Sequence, residues 1–192
     1  MFRKLSTVLL TTALTAGWAA AAEIRVQIPP ESADIAFELK ATMHTVHGTA
    51  TLEHAEFIFD TDTGTVSGEA VVASASADTD SKKRDKKMHS KVLLSDTHPK
   101  IVFTAERFEG ELDLAGTSEV TLTGVMQIIG VEHPLTIPVA VSMVDGTARA
   151  EFSVPYVEWG LKDPSTFVLR VGKEVPITVT TRITVISATN EP

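Results

Sequence analysis

Cysteine is absent from this chain of 192 residues, and basic side chains are fewer than acidic ones. The absence of cysteine excludes disulfide bonds, thiol catalysis, thiolate metal sites and the lipid-modified cysteine of lipoproteins. With 17 Lys and Arg against 25 Asp and Glu, the formal net charge is −8. Such an acidic chain is a poor partner for nucleic acid and is not expected to adsorb broadly to anionic membranes.

Long apolar runs are also absent, apart from one at the N-terminus. Arg3 and Lys4 precede an uncharged stretch, residues 5–17, and the alanines of residues 20–22 stand just before Glu23. This order predicts a secretory signal peptide over residues 1–22, because the apolar run is too short for a stable membrane span. We therefore expect export to the periplasm and a single mature domain over residues 23–192. A membrane anchor or a buried first helix is the alternative.

Motifs of catalysis and of cofactor binding are missing as well. The chain has no Gly-x-Ser-x-Gly, phosphate-binding loop or dinucleotide fingerprint. Its histidines are scattered, and the spacing of His44 and His47 points them to opposite faces of a strand. Residues 60–64 match only part of a calcium loop and are interpreted as a turn. The sequence therefore predicts a protein that is not an enzyme and has no metal and no cofactor.

The hydrophobic pattern of the remaining chain has a period of two residues. Apolar and polar side chains alternate through residues 34–40, 120–128, 135–143 and 175–185, as in strands with one buried and one solvated face. Turn sequences such as Asp145-Gly146 separate these runs. We count about eight short strands, which favours an antiparallel sandwich or a closed barrel.

One lysine-rich segment, residues 80–94, breaks the alternation. It holds no β-branched residue before Val92, and residues 78–81 are four possible N-caps at its start. This pattern predicts a short helical insertion. Its basic run comprises Lys82, Lys83, Arg84, Lys86 and Lys87. These cations form either a solvated helix face paired with nearby aspartates or a surface that orients the protein toward anionic lipid. Arg84 and Asp85 are interpreted as a structural pair.

Several blocks of the sequence together resemble the YceI-like family. They are residues 75–80 with Arg84-Asp85, residues 98–103, residues 120–134, and residues 155–161 leading to 171–175; residues 35–37 and 46–48 also fit. The resemblance implies a lipocalin-like, antiparallel eight-stranded barrel, usually periplasmic, that holds a long apolar molecule. The ligands it implies are polyisoprenoids, isoprenoid quinones and fatty amides, with no shared enzymatic activity. One departure is that residues 154–160 lack an Arg that many members carry, so a head-group contact from that Arg is not expected.

The candidate ligand-binding side chains are those on the expected inner face, together with two aromatics near the end of the chain. They are Phe37, Phe57, Phe59, Phe103, Met126, Ile128, Ile137, Val139, Phe152, Val154, Tyr156 and Trp159. Apolar burial would hold the ligand. Tyr156 and Trp159 either grip a head group or plug one end of the barrel.

Three functions remain open from the residues alone. The first is a periplasmic carrier of a long apolar lipid; the second is a barrel with a filled core that acts as an interaction or stress-response module. The third, a lipid-modifying enzyme, would need inward polar groups, and the inner faces offer mainly Thr, Ser and isolated His. Beyond the lipid, the expected partners are a transient inner-membrane protein or membrane contact, and the chain is expected to be a monomer or homodimer.

Overall fold

The computed structural model describes residues 23–113 and 115–187, and the predicted signal peptide lies outside them. Within these residues eleven strands form one antiparallel sheet. The strands are β1 Glu23–Gln27, β2 Asp34–Lys40, β3 Thr45–Ala50, β4 Leu52–Asp60, β5 Thr65–Ala73, β6 Lys100–Glu109, β7 Thr117–Ile128, β8 Val131–Ser142, β9 Thr147–Val154, β10 Val175–Arg182 and β11 Thr184–Ser187. The predicted antiparallel barrel is confirmed, with eleven strands rather than the eight expected.

Three interruptions account for the difference in strand number. Pro29 and Pro30 separate β1 from β2, since proline has no N–H to donate to a ladder. Thr51 separates β3 from β4 and donates its N–H to Ser76 Oγ over 2.8 Å. Ile183 separates β10 from β11 and donates its N–H to the carbonyl of Gly146 over 2.9 Å. If each interrupted pair is counted as one strand that bends and continues, the sheet has eight strands.

These bends close the sheet into a barrel. The strand order is β11-β1-β4-β5-β6-β7-β8-β9-β10-β2-β3. Its two end strands, β11 and β3, continue covalently from β10 and into β4, so the ladder returns on itself. Bulges on β4, β5 and β6 add curvature. Beside the β6 bulge, Gly124 lets the strands approach closely, because a Cβ there would lie 2.1 Å from the carbonyl oxygen of Thr104.

The strand connections divide between two ends of the barrel. At one end, named the hairpin end, lie residues 61–64 and 143–146, together with the connection from β6 to β7. At the other end, named the helix end, lie residues 41–44, 74–99, 129–130 and 155–174. The long connections, and with them most of the irregular backbone, are therefore gathered at the helix end.

The predicted helical insertion is confirmed. It consists of an α-helix, α1 Lys82–Met88, followed by one π-helical turn, His89–Leu93. Residues leading into α1 run beside β3, where Thr49 and Asp78 exchange two backbone hydrogen bonds of 2.9 Å. No helix among the described residues is both long and apolar enough to cross a membrane.

Arg84 and Asp85 hold the start of α1 through Thr79 rather than through each other. Asp85 Oδ1 accepts the Thr79 N–H and hydroxyl over 3.1 and 2.5 Å, and Arg84 Nε donates to the same hydroxyl over 2.6 Å. Partial burial pushes the pKa of the Asp85 carboxyl upward, but hydrogen bonds from Thr79 and Ser81 and the nearby charge of Arg84 outweigh it and leave the pKa below its ordinary value. The predicted structural role of the two side chains is consistent with this network.

Candidate ligand-binding site

A cavity of about 670 Å³ runs through the inside of the barrel. That volume lies within the range of about 300–1,000 Å³ that is usual for small-molecule sites. Nearly all strands contribute to its wall, from Met143 and Ile183 at the hairpin end to Ala41 and Val171 at the helix end. The wall is almost entirely apolar, so the cavity suits a molecule that makes few directional contacts.

Eleven of the twelve predicted contact side chains line this cavity. They are Phe37, Phe57, Phe59, Phe103, Met126, Ile128, Ile137, Val139, Phe152, Val154 and Tyr156. The alternation of the strands brings them together, because residues two apart on a strand face the same side. Small side chains, among them Ala55, Ala70 and Ala150, lie between them in the wall and leave the interior open.

An aromatic cluster narrows the cavity on one side. The ring of Phe59 lies 5.5 Å from that of Phe108 in an edge-to-face arrangement and 6.4 Å from that of Phe57. Phe108 was not among the predicted contacts. Its strand carries a bulge between Ala105 and Arg107 that shifts the inward face from odd to even residues. Because the shift comes from the bulge, strict alternation along the sequence misses Phe108.

Tyr156 closes the wall at the helix end. The side chain is buried, and its hydroxyl donates a hydrogen bond of 2.8 Å to the backbone carbonyl of Gly172. Burial, together with the negative charge of Asp163, raises the pKa of Tyr156 to about 12. The phenol is therefore neutral at ordinary pH with its proton already engaged, and it offers the cavity its ring rather than its hydroxyl.

Trp159 lies outside the cavity wall. Its ring stacks on the imidazole of His133 with centroids 4.4 Å apart and planes 2° from parallel. His133 pairs with Met126 across the β7–β8 hairpin and therefore shares the inner face of the sheet, so the stack lies against the apolar core at the helix end. The structure thus separates the two late aromatics, which the sequence treated as one pair.

The cavity reaches the surface at the helix end. Among the described residues that line it, the exposed ones are His44, Lys83 and Lys87, and all three lie at that end. The half-buried side chains of Arg84 and Met88 complete this part of the wall. We name this opening, framed by His44, Lys83 and Lys87, the mouth. The basic run that contains Lys83 and Lys87 is evident in the sequence, but no sequence pattern shows that these side chains border the cavity.

Buried polar side chains also lie close to the cavity at the helix end. A buried chain of hydrogen bonds does link His89 Nδ1 to Ser95 Oγ over 3.2 Å and Ser95 Oγ to Ser74 Oγ over 2.9 Å. None of these three residues lines the cavity, so the chain fastens the helical insertion to the end of β5 instead. In residues 23–113 and 115–187, no group of three or more His, Asp or Glu side chains is placed to hold a metal ion.

Comparison with solved structures finds the same fold in several bacterial proteins. The structure of Burkholderia cenocepacia BcnA matches with a TM-score of 0.63 at 18% identity, over 82% of this chain and 99% of that one. A polyisoprenoid binding domain from Saccharophagus degradans, implicated in plant cell wall breakdown, matches with a TM-score of 0.56 at 12% identity, over 88% and 99%. A Campylobacter jejuni YceI protein matches with a TM-score of 0.50 at 13% identity, over 79% and 85%. At these identities the likeness establishes the fold alone.

Comparison with curated proteins finds no match. The family model of the YceI-like domain, in contrast, matches residues 26–183, which include the barrel strands from within β1 to the end of β10 and all four connections of the helix end. The chain therefore belongs to the YceI-like family.

Proposed function

We propose that this protein binds one long apolar lipid inside the barrel and carries it through the periplasm. The main support for this proposal is the cavity of about 670 Å³, which is lined by apolar side chains and opens at the helix end. Polyisoprenoids, isoprenoid quinones and fatty amides are the classes we propose, since each combines a long hydrocarbon with a small polar head. The polyisoprenoid-binding neighbour from Saccharophagus degradans supports the first of these.

The geometry also suggests which way the lipid lies. A hydrocarbon chain would occupy the apolar wall from the mouth toward the aromatic cluster of Phe57, Phe59 and Phe108. The polar head would remain near His44, Lys83 and Lys87, because these are the exposed side chains of the wall. Burying a head group deeper would leave it without hydrogen-bond partners, at a cost of several kcal/mol.

The other two functions find less support. A filled barrel that acts only through its surface would pack its interior with side chains, and the cavity argues against it. A lipid-modifying enzyme would need a reactive group beside the lipid. Tyr156 in the wall has its hydroxyl engaged with Gly172, and the His89 chain of hydrogen bonds lies outside the wall. We therefore propose binding without catalysis.

Mass spectrometry of organic extracts tests the proposal directly. The protein is purified without detergent from the periplasm of its own cells, and its extract is compared with that of a periplasmic protein of similar size. We expect one stoichiometric isoprenoid or fatty amide. A clean extract, together with no uptake of quinones or fatty amides offered to the purified protein, would overturn the proposal in favour of the filled barrel.

A further inference from the structure

Three large apolar side chains stand almost fully exposed at the helix end. The exposed fractions are 87% for Met43, 97% for Phe167 and 85% for Val168. Exposed side chains of this size beside a cavity opening are typical of a surface that meets another apolar phase. They are therefore a feature that the binding of a lipid inside the barrel does not by itself explain.

The two segments that carry these side chains are fastened to each other. Thr42 donates its N–H to the carbonyl of Arg170 over 2.9 Å, and Arg170 returns its N–H to the Thr42 hydroxyl over 2.9 Å. Thr166 and Leu169 close a tight turn through two hydrogen bonds, with Phe167 and Val168 at its tip. The apolar side chains thus project from an ordered platform. We name Met43, Phe167 and Val168 the apolar tip.

Positive charge lies at the same end. The helical insertion, residues 80–94, carries six Lys and Arg side chains against Asp80 and Asp85, and the helix-end connections together carry nine Lys and Arg against seven Asp and Glu. Lys82, Lys83, Lys86 and Lys87 are all exposed. The connections at the hairpin end carry the acidic residues Asp62, Glu111, Asp113 and Asp145 and no Lys or Arg. The barrel is therefore electrically polarised along its axis, within a chain whose net charge is −8.

Both features border the mouth. Ala41, His44 and Leu169, which belong to the segments that carry the apolar tip, line the cavity. So do Lys83 and Lys87 of α1. A surface that covered the apolar tip and met the lysines would therefore also cover the opening of the cavity.

We propose that the helix end docks on an anionic lipid bilayer, with the apolar tip in the head-group region and the lysines of α1 against anionic lipids. A bilayer supplies both complements at once, since apolar side chains insert where acyl chains begin and lysines pair with the charged surface. The acidic hairpin end is repelled by the same surface, so the polarity orients the mouth toward the membrane. Docking does not depend on the lipid cargo, and it goes beyond the proposed carrier function.

Co-sedimentation with vesicles tests the docking. The processed protein is mixed with vesicles of phosphatidylcholine alone or with added phosphatidylglycerol. Two double variants remove one component each: Lys82→Glu/Lys86→Glu removes charge, and Phe167→Ser/Val168→Ser removes the apolar tip. All four side chains lie outside the cavity wall, so binding of lipid inside the barrel is expected to be unchanged. Each lysine charge that is removed is expected to lower the binding constant for anionic vesicles roughly five-fold. Reversing the charge to Glu should lower it further.

Matched controls come from elsewhere on the barrel. Arg107→Glu/Arg182→Glu makes the same change in net charge at exposed positions away from α1, and Val144→Ser removes an apolar side chain that is 73% exposed at the hairpin end. We expect both controls to sediment like the unaltered protein, and only with vesicles that contain phosphatidylglycerol.

Two results would overturn the docking proposal. One is equal sedimentation with zwitterionic and anionic vesicles, and the other is equal loss in the control variants. Uptake of a fluorescent isoprenoid delivered without vesicles is measured in parallel, so that failure to dock and failure to bind cargo are distinguished.

Discussion

The ring of Phe37 lies directly over the backbone of Gly48, its partner in the β2–β3 ladder. A Cβ built on Gly48 would come within 2.2 Å of Phe37 Cζ and 2.7 Å of the carbonyl oxygen of Asp78. Glycine at this position therefore lets an aromatic side chain of the cavity wall cover the strand, as large rings often do beside glycine in sheets. It also lets the chain leading into α1 approach β3.

The first prediction concerns this contact. Replacing Gly48 by alanine should displace the Phe37 ring and strain the Thr49–Asp78 backbone pair. We expect the unfolding free energy to fall by about 1–3 kcal/mol. Urea denaturation measures the loss. The control is Gly172→Ala, where the nearest atom to the new Cβ is 3.4 Å away and the contact is ordinary. Equal stability of the two variants would contradict the close contact at Gly48.

The second prediction uses Tyr156, the one tyrosine of the chain. Its folded pKa of about 12 lies above the ordinary value of 10.0, because burial and Asp163 favour the neutral phenol. The stabilisation is complete below pH 10 and is lost as the pH rises toward 12, where the unfolded chain releases the proton first. Tyrosinate absorbance should therefore appear near pH 12 in the folded protein and near pH 10 in urea.

Replacing Tyr156 by phenylalanine checks the same point independently. The variant should lose about 1 kcal/mol at neutral pH, because the carbonyl of Gly172 loses its donor. Its stability should then fall less steeply between pH 10 and 12 than that of the unaltered protein. A tyrosinate signal near pH 10 in the folded protein would show that the hydroxyl is free.

Much of the fold could be predicted from the sequence, because alternation and turns act locally. The turn at Asp60 shows this: its carboxylate accepts the backbone N–H groups of Asp62 and Thr63, as a short polar side chain in a turn does. The insertion at residues 80–94 was predictable for the same reason. Most of the cavity wall followed from alternation as well.

The remaining features depend on contacts between distant parts of the chain. The bulge that turns Phe108 inward arises from the pairing of β6 with β7, and no pattern in the sequence predicts it. The stack of Trp159 on His133 joins the connection between β9 and β10 to strand β8. The place of Lys83 and Lys87 at the mouth depends on how the insertion lies across the barrel end. Such relationships need the assembled fold.

The third prediction concerns Asp85, whose lowered pKa signals a carboxylate that the folded state favours. A group of this kind stabilises the fold above its ordinary pKa of 3.8, and the stabilisation is lost as the pH falls through the folded value. Asp85→Asn should therefore have a lower unfolding free energy than the unaltered protein at neutral pH, and this difference should become smaller in acid. Denaturation at neutral and at low pH measures it. The control Asp96→Asn, at an exposed position, should have the same unfolding free energy as the unaltered protein under both conditions.

The fourth prediction concerns Leu94, which ends the helical insertion in the left-handed region with φ 50° and ψ 43°. A leucine there carries a strain of about 1–2 kcal/mol that asparagine largely avoids. Because Leu94 is 39% exposed and the rest of it is covered, lost burial offsets part of this gain. Leu94→Asn should therefore raise the unfolding free energy by about 1 kcal/mol or leave it unchanged. A clear loss of stability would show that the Leu94 side chain packs more than its exposure suggests.

The last prediction separates a ligand cavity from a filled core. Ala150 lies in the cavity wall on β9, beside Val139 and Val179 of the neighbouring strands. Ala150→Phe would place a ring in the open interior, so uptake of an isoprenoid should weaken roughly ten-fold or more, which corresponds to about 1.4 kcal/mol. Stability should change little, because the ring fills space that no side chain occupies.

In a filled core the same ring would meet side chains and cost about 1–3 kcal/mol through overpacking. The control is Ala140→Phe, which adds the same ring to an exposed position of β8 on the outer face. It should leave both uptake and stability unchanged. Uptake is measured by fluorescence titration and stability by urea denaturation on the same samples. Unchanged uptake in Ala150→Phe would place the lipid elsewhere on the protein, and a large loss of stability would show that the interior has no room for cargo.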